Sequence, residues 1–382
     1  MASIDNATEL DELARREIVE RGAALAAVVG VASWTGTGWT ARAGAAGSTG
    51  VGSDASLETV FDLASVTKPF VAVCLARLVE RGALEFETPL GALVPECRGG
   101  PSESATLELL GCHRAGLSAH GALFEPLLRG RAIHRGKALV SAASLLRGEC
   151  VGGTPGAAHP PVYSDLGYLL LGEALACAAR MPLDELLARE VCSPIGSRAT
   201  SARRWLSAGE RFWERVAPTE RVPFRGGLVR GVVHDENAWA LSGHAVSGHA
   251  GLFGRVSDVL ALGTALLDAA ADRGARFLSR STLERLLRER PGGTLRLGFD
   301  GKSETGSSAG PSAGPLTFGH LGFTGTSVWC DPAADAVTVL LTNRVCPTRL
   351  NSAIREARPK VHEALFALGR SLVGVGARDF TD

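Results

Sequence analysis

The apolar, strand-like segments of this 382-residue chain gather at its two ends, and the long middle between them has helical periodicity. Few folds accommodate that distribution. Ala26–Trp34 is a run of small and β-branched apolar residues that suits a buried strand. In Gly38–Gly44, Trp39, Ala41 and Ala43 alternate with Thr40 and Arg42, as in a half-buried strand. Thr35-Gly36-Thr37 supplies the turn, so the two predict an antiparallel hairpin. Near the other end, Ser327–Cys330 and Val337–Thr342 read as strands with a turn at Asp331-Pro332, and a helix over about Asn351–Leu372 follows.

Residues 85–240 read as loops and helices, clearest over Leu166–Met181 and Leu183–Val191. A further helix is predicted from Ser65 to Glu80, with Pro69 near its start and Gly82 placed to end it. The predicted fold class is therefore α+β: one antiparallel β-sheet flanked by helices and completed by both ends of the chain, with an inserted helical lobe. A single domain over 1–382 is expected, its α/β lobe at about 1–64 and 245–382 and its helical lobe at about 65–244. The Gly/Ser-rich stretch 301–314 reads as a mobile surface loop.

Forty basic residues balance forty acidic ones, giving no electrostatic basis for a nucleic-acid or membrane partner. The opening MASIDNATELDELARREIVERG is charged from its fifth residue and reads as an amphipathic helix, not a secretory signal. Eight cysteines without a CxxC pair then read as reduced, mostly buried thiols in a cytoplasmic protein.

Chemistry enters with Ser65-Val66-Thr67-Lys68. On a helix, positions i and i+3 share a face, so the Lys68 amine lies beside the Ser65 hydroxyl. A serine needs a neighbouring base to become a nucleophile. Lysine can serve if burial depresses its pKa, whereas arginine stays protonated. With 28 serines and 4 lysines, chance alone gives about 0.3 such pairs (28 × 4/382). Arginine outnumbers lysine 36 to 4, however, so a lysine here points to a need for an amine that can lose its proton.

Tyr163-Ser164-Asp165 follows Pro160-Pro161 and precedes a helix, where a phenol can project into a cleft and relay protons. Asp165 alone could be simply the N-cap of that helix. Gly319-His320-Leu321-Gly322-Phe323-Thr324-Gly325 places three glycines in strand-like sequence, a backbone that something approaches closely. An edge strand of this kind can offer N–H groups to an oxyanion.

Together these segments resemble the penicillin-recognising serine hydrolases: class C β-lactamases, DD-peptidases and their esterase relatives. That family carries SxxK at a helix start, Tyr-x-Asn on a loop, and Lys-Thr-Gly or His-x-Gly on an edge strand. FDLASVTKPF, HRAGL at 113–117, VYSDLGYLLLG, VHDENAWAL, GHAGLF and FGHLGFTGTSVWCDP extend the likeness over nearly the whole chain. The resemblance implies a serine hydrolase in which Ser65 forms the acyl-enzyme and Lys68 and Tyr163 handle its protons. The N–H groups of Ser65 and Phe323 would form the oxyanion hole, with Asp165, His320 and Gly322 lining the substrate cleft. No cofactor or metal is implied.

Two departures bear on the substrate. Asp165 stands where the β-lactamase-like pattern has asparagine, and His320-Leu321 where it has the lysine and threonine that grip a carboxylate. A site that loses a cation and gains an acid favours small esters or amides over β-lactams or D-alanyl peptides. Arg344 or Arg349 could supply the missing grip. Gly306-Ser307-Ser308-Ala309-Gly310 matches a GxSxG elbow but lacks the flanking strand and helix. His244 and His249, with His234-Asp235-Glu236 nearby, lack metal-site spacing, and the segment from His234 to Asn237 suits a polar network in the loop bordering the cleft. The alternative of another class is a sensor on the same fold that is acylated without turnover.

Overall fold

The computed structural model describes residues 4–154, 156–209, 211–274 and 277–376. Its main sheet has seven strands: β1 (Ile4–Asn6), β2 (Ala26–Trp34), β3 (Trp39–Gly47), β4 (Asp300–Gly301), β5 (Phe318–Leu321), β6 (Ser327–Asp331) and β7 (Ala336–Thr342). Their order across the sheet is β1-β3-β2-β7-β6-β5-β4. Both ends of the chain contribute, as the sequence predicts, and β2 pairs with β7 through Val29↔Leu340. The predicted hairpin is β2–β3, in register Trp34↔Trp39.

One expectation needs correction. The sheet is not wholly antiparallel, because β1 joins β3 in parallel. The described part of the opening segment accordingly begins with a strand, and its helix α1 covers only Thr8–Ala14 before a π-helical turn; residues 1–3 lie outside the described residues.

Other helices include α2 (Thr67–Glu80), α3 (Asp165–Ala179), α4 (Glu236–Ser242), α5 (Val256–Ala270) and α6 (Ile354–Gly376). Period-two alternation along β2 sorts its side chains between two layers. Val28 and Ala32 join the core shared with α2, α3 and α5. Ala27, Val29 and Val31 join α1 and α6 on the other face. Glycines let α5 approach the sheet closely: a Cβ on Gly30 would meet Val256 at 2.6 Å, and one on Gly263 would meet Val337 at 2.4 Å.

α2 is buried nearly all round, as expected of a core helix. Gly82 adopts φ +68° just beyond its C-terminal end. The stretch 301–314 is largely loop, exposed at 303–306 and 311–312, but it is anchored to the body of the protein, for Ala309 and Ala313 are buried against Trp329 and Phe366 of the sheet and α6. Ser308 lies in a turn there, without the strand–helix setting of a nucleophile elbow. All eight cysteines are free thiols, seven of them buried.

Candidate active site

Ser65 lies in one 3-10 turn, Ala64–Val66, between the short strand Phe61–Asp62 and α2. Ala64 has φ +48°, a conformation that costs energy in any residue with a Cβ. Asp62 holds it there: the buried carboxylate accepts the Ala64 N–H at 2.8 Å and the His234 N–H at 2.7 Å. Burial raises the Asp62 pKa, and those two bonds oppose the rise. The hydroxyls of Thr324 and Thr326 donate to the carbonyls of Asp62 and Leu63, at 2.8 and 2.9 Å. The turn bearing Ser65 is thereby fastened to the loop after β5 that bears Phe323. Among the described residues, no carbonyl accepts the N–H of Ser65 or of Phe323.

Lys68 is fully buried, and its Nζ donates to Ser65 Oγ at 2.9 Å, Asp165 Oδ1 at 2.6 Å and the His249 carbonyl at 3.1 Å. Three acceptors occupy the three N–H groups of an ammonium. This corrects the expectation of a depressed lysine. Burial does act to lower the Lys68 pKa, but the adjacent Asp165 charge, with Tyr163, outweighs it and leaves the pKa raised. Asp165 is held far below the usual carboxylate range: burial works against its charge, and Lys68 and the His120 hydrogen bond overcome that.

The cap of α3 is Ser164, whose hydroxyl accepts the Gly167 N–H at 3.2 Å. Asp165, one residue later, is free to face Lys68 and receives His120 Nδ1 on its other oxygen at 3.0 Å. Its charge is thus committed to two partners, and the expected repulsion of a substrate carboxylate is offset.

The Tyr163 ring lies 4.8 Å from Lys68 Nζ and stacks on His113 at 4.7 Å. Burial raises the pKa of its hydroxyl, while the Lys68 charge and hydrogen bonding to Lys68 and Ser65 pull it back. His113 Nδ1 accepts the Ser164 N–H at 2.9 Å, which fixes the neutral tautomer. Burial and the Lys68 charge push its pKa down to about 3.

His320 is placed otherwise than expected. It is 6% exposed and packs against the Tyr163 ring at 6.0 Å, and the cleft wall is formed by its neighbours Leu321, Gly322 and Phe323. Its Nδ1 donates to the Leu321 carbonyl at 2.8 Å; burial and then Lys68 lower its pKa to about 3, so the ring is neutral. Gly322 is needed for close packing: a Cβ there would meet Thr326 Oγ1 at 1.9 Å and the Leu63 carbonyl at 2.7 Å.

The cleft encloses about 1000 Å³ and is lined by Ser65, Tyr163, Asp165, Gly322 and Phe323, and on a further wall by arginines. Arg349 is tied to Glu220 and Glu236. Arg344 instead donates to the carbonyls of Phe323, Arg349 and Asn351. Among the described residues no carboxylate pairs with Arg344, Arg355 or Arg358, all of which line the cleft. The expected polar network borders the same cleft: His234 pairs with Glu220 at 2.9 Å, and His249 with Asp235 at 2.8 Å. Asp235 also caps α4.

Sequence reasoning missed His120, Asp62, Arg355 and Arg358. His120 lies three residues beyond HRAGL and Asp62 within FDLASVTKPF, but no spacing marks either one.

The family model for beta-lactamase matches residues 11–361 of the chain. A protein of Salmonella agona (strain SL483), described as a candidate D-alanyl-D-alanine carboxypeptidase, is 27% identical over 337 residues, covering 82% of this chain and 74% of that protein. EstCE1, described as a hydrolase with promiscuous acyltransferase activity, has a TM-score of 0.66 at 21% identity, covering 93% of this chain and 100% of EstCE1. A class C beta-lactamase from Rhodobacter sphaeroides has a TM-score of 0.65 at 17% identity, covering 94% of this chain and 100% of its own. At such identities the two structures speak for the fold.

Proposed function

We propose, from the premise that this chain belongs to the beta-lactamase family of serine hydrolases, that it cleaves small esters or amides through an acyl-enzyme on Ser65. The observation that carries this reading is the contact of Ser65 Oγ with the buried Lys68 amine at 2.9 Å, on the wall of an open cleft. Ser65 passes its proton to Lys68 in those molecules whose Lys68 ammonium has released its own, and attacks the substrate carbonyl. The N–H groups of Ser65 and Phe323 take the developing negative charge. Tyr163, packed over Lys68, carries a proton to the leaving group, and water then releases the acyl group from Ser65 by the same transfers in reverse.

An ester suits the wall presented by apolar Leu321, behind which His320 is buried and neutral, so that the wall offers no cation to a carboxylate, and the ester's alkoxide leaves more readily than an amine. A second reading, supported by Arg344, Arg355 and Arg358 in the cleft, is hydrolysis of an anionic substrate such as a D-alanyl peptide or a β-lactam.

The test is a panel of short esters, a chromogenic cephalosporin and D-alanyl peptides, run alongside labelling with a fluorophosphonate probe. Ser65→Ala should abolish both turnover and labelling, and short esters should give the highest kcat/KM. Labelling that persists in Ser65→Ala would refute the nucleophile. Efficient cephalosporin turnover without esterase activity would favour the second reading, and stable acylation without release would mark a sensor.

A further inference from the structure

A chain of hydrogen bonds runs from the nucleophile to solvent. Ser65 Oγ accepts from Lys68 Nζ at 2.9 Å, Lys68 donates to Asp165 Oδ1 at 2.6 Å, and His120 Nδ1 meets Asp165 Oδ2 at 3.0 Å. The His120 side chain is 67% exposed and lies on the cleft lining. Each oxygen of one buried carboxylate therefore serves a different nitrogen base, one inside and one at the mouth.

We propose that His120 is a positioning residue of the proton-transfer centre: by sharing Asp165 with Lys68 it gives the site's surplus proton a second location at the solvent edge, and so frees Lys68 to receive the proton of Ser65. This rests on the reading of Lys68 as the base for Ser65.

A carboxylate only accepts, so His120 Nδ1 keeps its hydrogen in both charge states and Nε2 is the atom that titrates. When Lys68 and His120 hold one titrating proton between them, two arrangements carry equal total charge. In one, Lys68 is an ammonium and His120 neutral. In the other, the Lys68 Nζ–H bond has broken, Nε2–H has formed through solvent, and Lys68 is a free amine. Only the second can take the Ser65 proton. Asp165 and Asp235 face His120 and favour its charged form, and Lys68 opposes it only while Lys68 is itself charged. The hydrogen bond to Asp165 is the largest influence on His120 and raises its pKa.

Two coupled protons titrate in two steps, and between the steps the fraction in the competent arrangement does not change with pH. His120→Gln retains an N–H donor for Asp165 and cannot hold the proton. For the parent protein, log kcat/KM should rise with pH, level off once the first proton has left, and rise again in alkali. For His120→Gln the levelling should vanish, with kcat/KM near neutrality on the order of tenfold lower and recovering in alkali. Superimposable profiles would overturn the proposal. Independently of activity, NMR should place the His120 titration above the ordinary value of about 6.5, and Asp165→Asn should bring it back toward that value. A His120 titration unmoved by Asp165→Asn would also overturn it. Failure of the parent reading is distinguishable, because it would leave Ser65 unlabelled by the fluorophosphonate in the parent protein and in His120→Gln alike.

Discussion

Replacing Asp165 by asparagine removes one charge from a fully buried contact and leaves an amide oxygen for Lys68 to donate to. Asp165 lies 2.6 Å from a lysine with no solvent exposure, whose other acceptors are Ser65 Oγ and one carbonyl. Leaving one member of a buried pair unmatched costs about 3–5 kcal/mol, and retention of the acceptor places this case near about 3 kcal/mol. At roughly 2.1 cal/mol/K per residue, 382 residues give an unfolding entropy of about 0.8 kcal/mol/K, so Tm should fall by about 4 °C. The pH dependence carries the sharper signature. In the parent protein the Lys68 pKa is raised, so its contribution is complete below the unfolded value of about 10.4 and is lost as pH rises through the folded value. The Asp165 pKa is lowered, so its contribution is present above about 3.9 and is lost as pH falls. Between these limits the pair contributes a constant amount. Without the carboxylate, burial dominates and pulls Lys68 below its unfolded value, which reverses the sign: the Tm deficit of Asp165→Asn should shrink as pH rises from neutrality toward about 10. Differential scanning calorimetry across that range is the assay. A variant with the parent's Tm throughout, or a deficit that does not change with pH, would refute the account of Lys68 as an ammonium held by Asp165.

Two further outcomes follow from the same geometry. Lys68→Arg should lose at least about 100-fold in kcat/KM, close to Lys68→Ala, because a guanidinium cannot accept the Ser65 proton; an arginine variant retaining most of its activity would show that Lys68 supplies charge alone. Gly322→Ala should lower kcat by on the order of 100-fold with a smaller effect on KM, because a Cβ 1.9 Å from Thr326 Oγ1 and 2.7 Å from the Leu63 carbonyl must move the loop that carries Phe323; unchanged kcat would show that the loop after β5 does not set the oxyanion site.

Much of the fold was legible because its central strands obey simple patterning. Ala26–Trp34 is apolar on both faces and lies in the middle of the sheet, and Trp39–Gly47 alternates beside it. What escaped was settled by tertiary contact. Ile4–Asn6 is too short to signal a strand, and it becomes one by pairing with Ala41–Ala43. Residues 301–314 read as a surface loop from their glycines and serines, yet two small alanines among them fit under Phe366. Within the site, Ser65, Lys68 and Tyr163 were legible by spacing and order, since a helical turn and a loop–helix junction dictate where those side chains go. His120 and Asp62 were not, because their roles depend on which carboxylate or amide the fold brings opposite them.

The two departures from the β-lactamase-like pattern act together on one quantity, the charge around Lys68. A lysine at the position of His320 would place a second cation beside the site and drive Lys68 toward its neutral form; His320, buried with a pKa of about 3, supplies no charge. An asparagine at 165 would leave Lys68 without a counter-ion, whereas Asp165 supplies one at 2.6 Å. Both changes favour the ammonium, so this site begins its cycle with Lys68 holding a proton that must go elsewhere before Ser65 can be activated. A single carboxylate could not relieve that, because in this buried setting the pair is most stable fully ionised. The second base on its other oxygen can, and His120 at the cleft mouth is the group so placed. The substitution at 165 and the histidine at 120 are on this argument one adaptation, so in a double-mutant cycle His120→Gln should cost less in kcat/KM at neutral pH in an Asp165→Asn background, where Lys68 no longer needs relief, than in the parent protein. Full additivity in that double-mutant cycle would show that His120 and Asp165 act on Ser65 by separate routes.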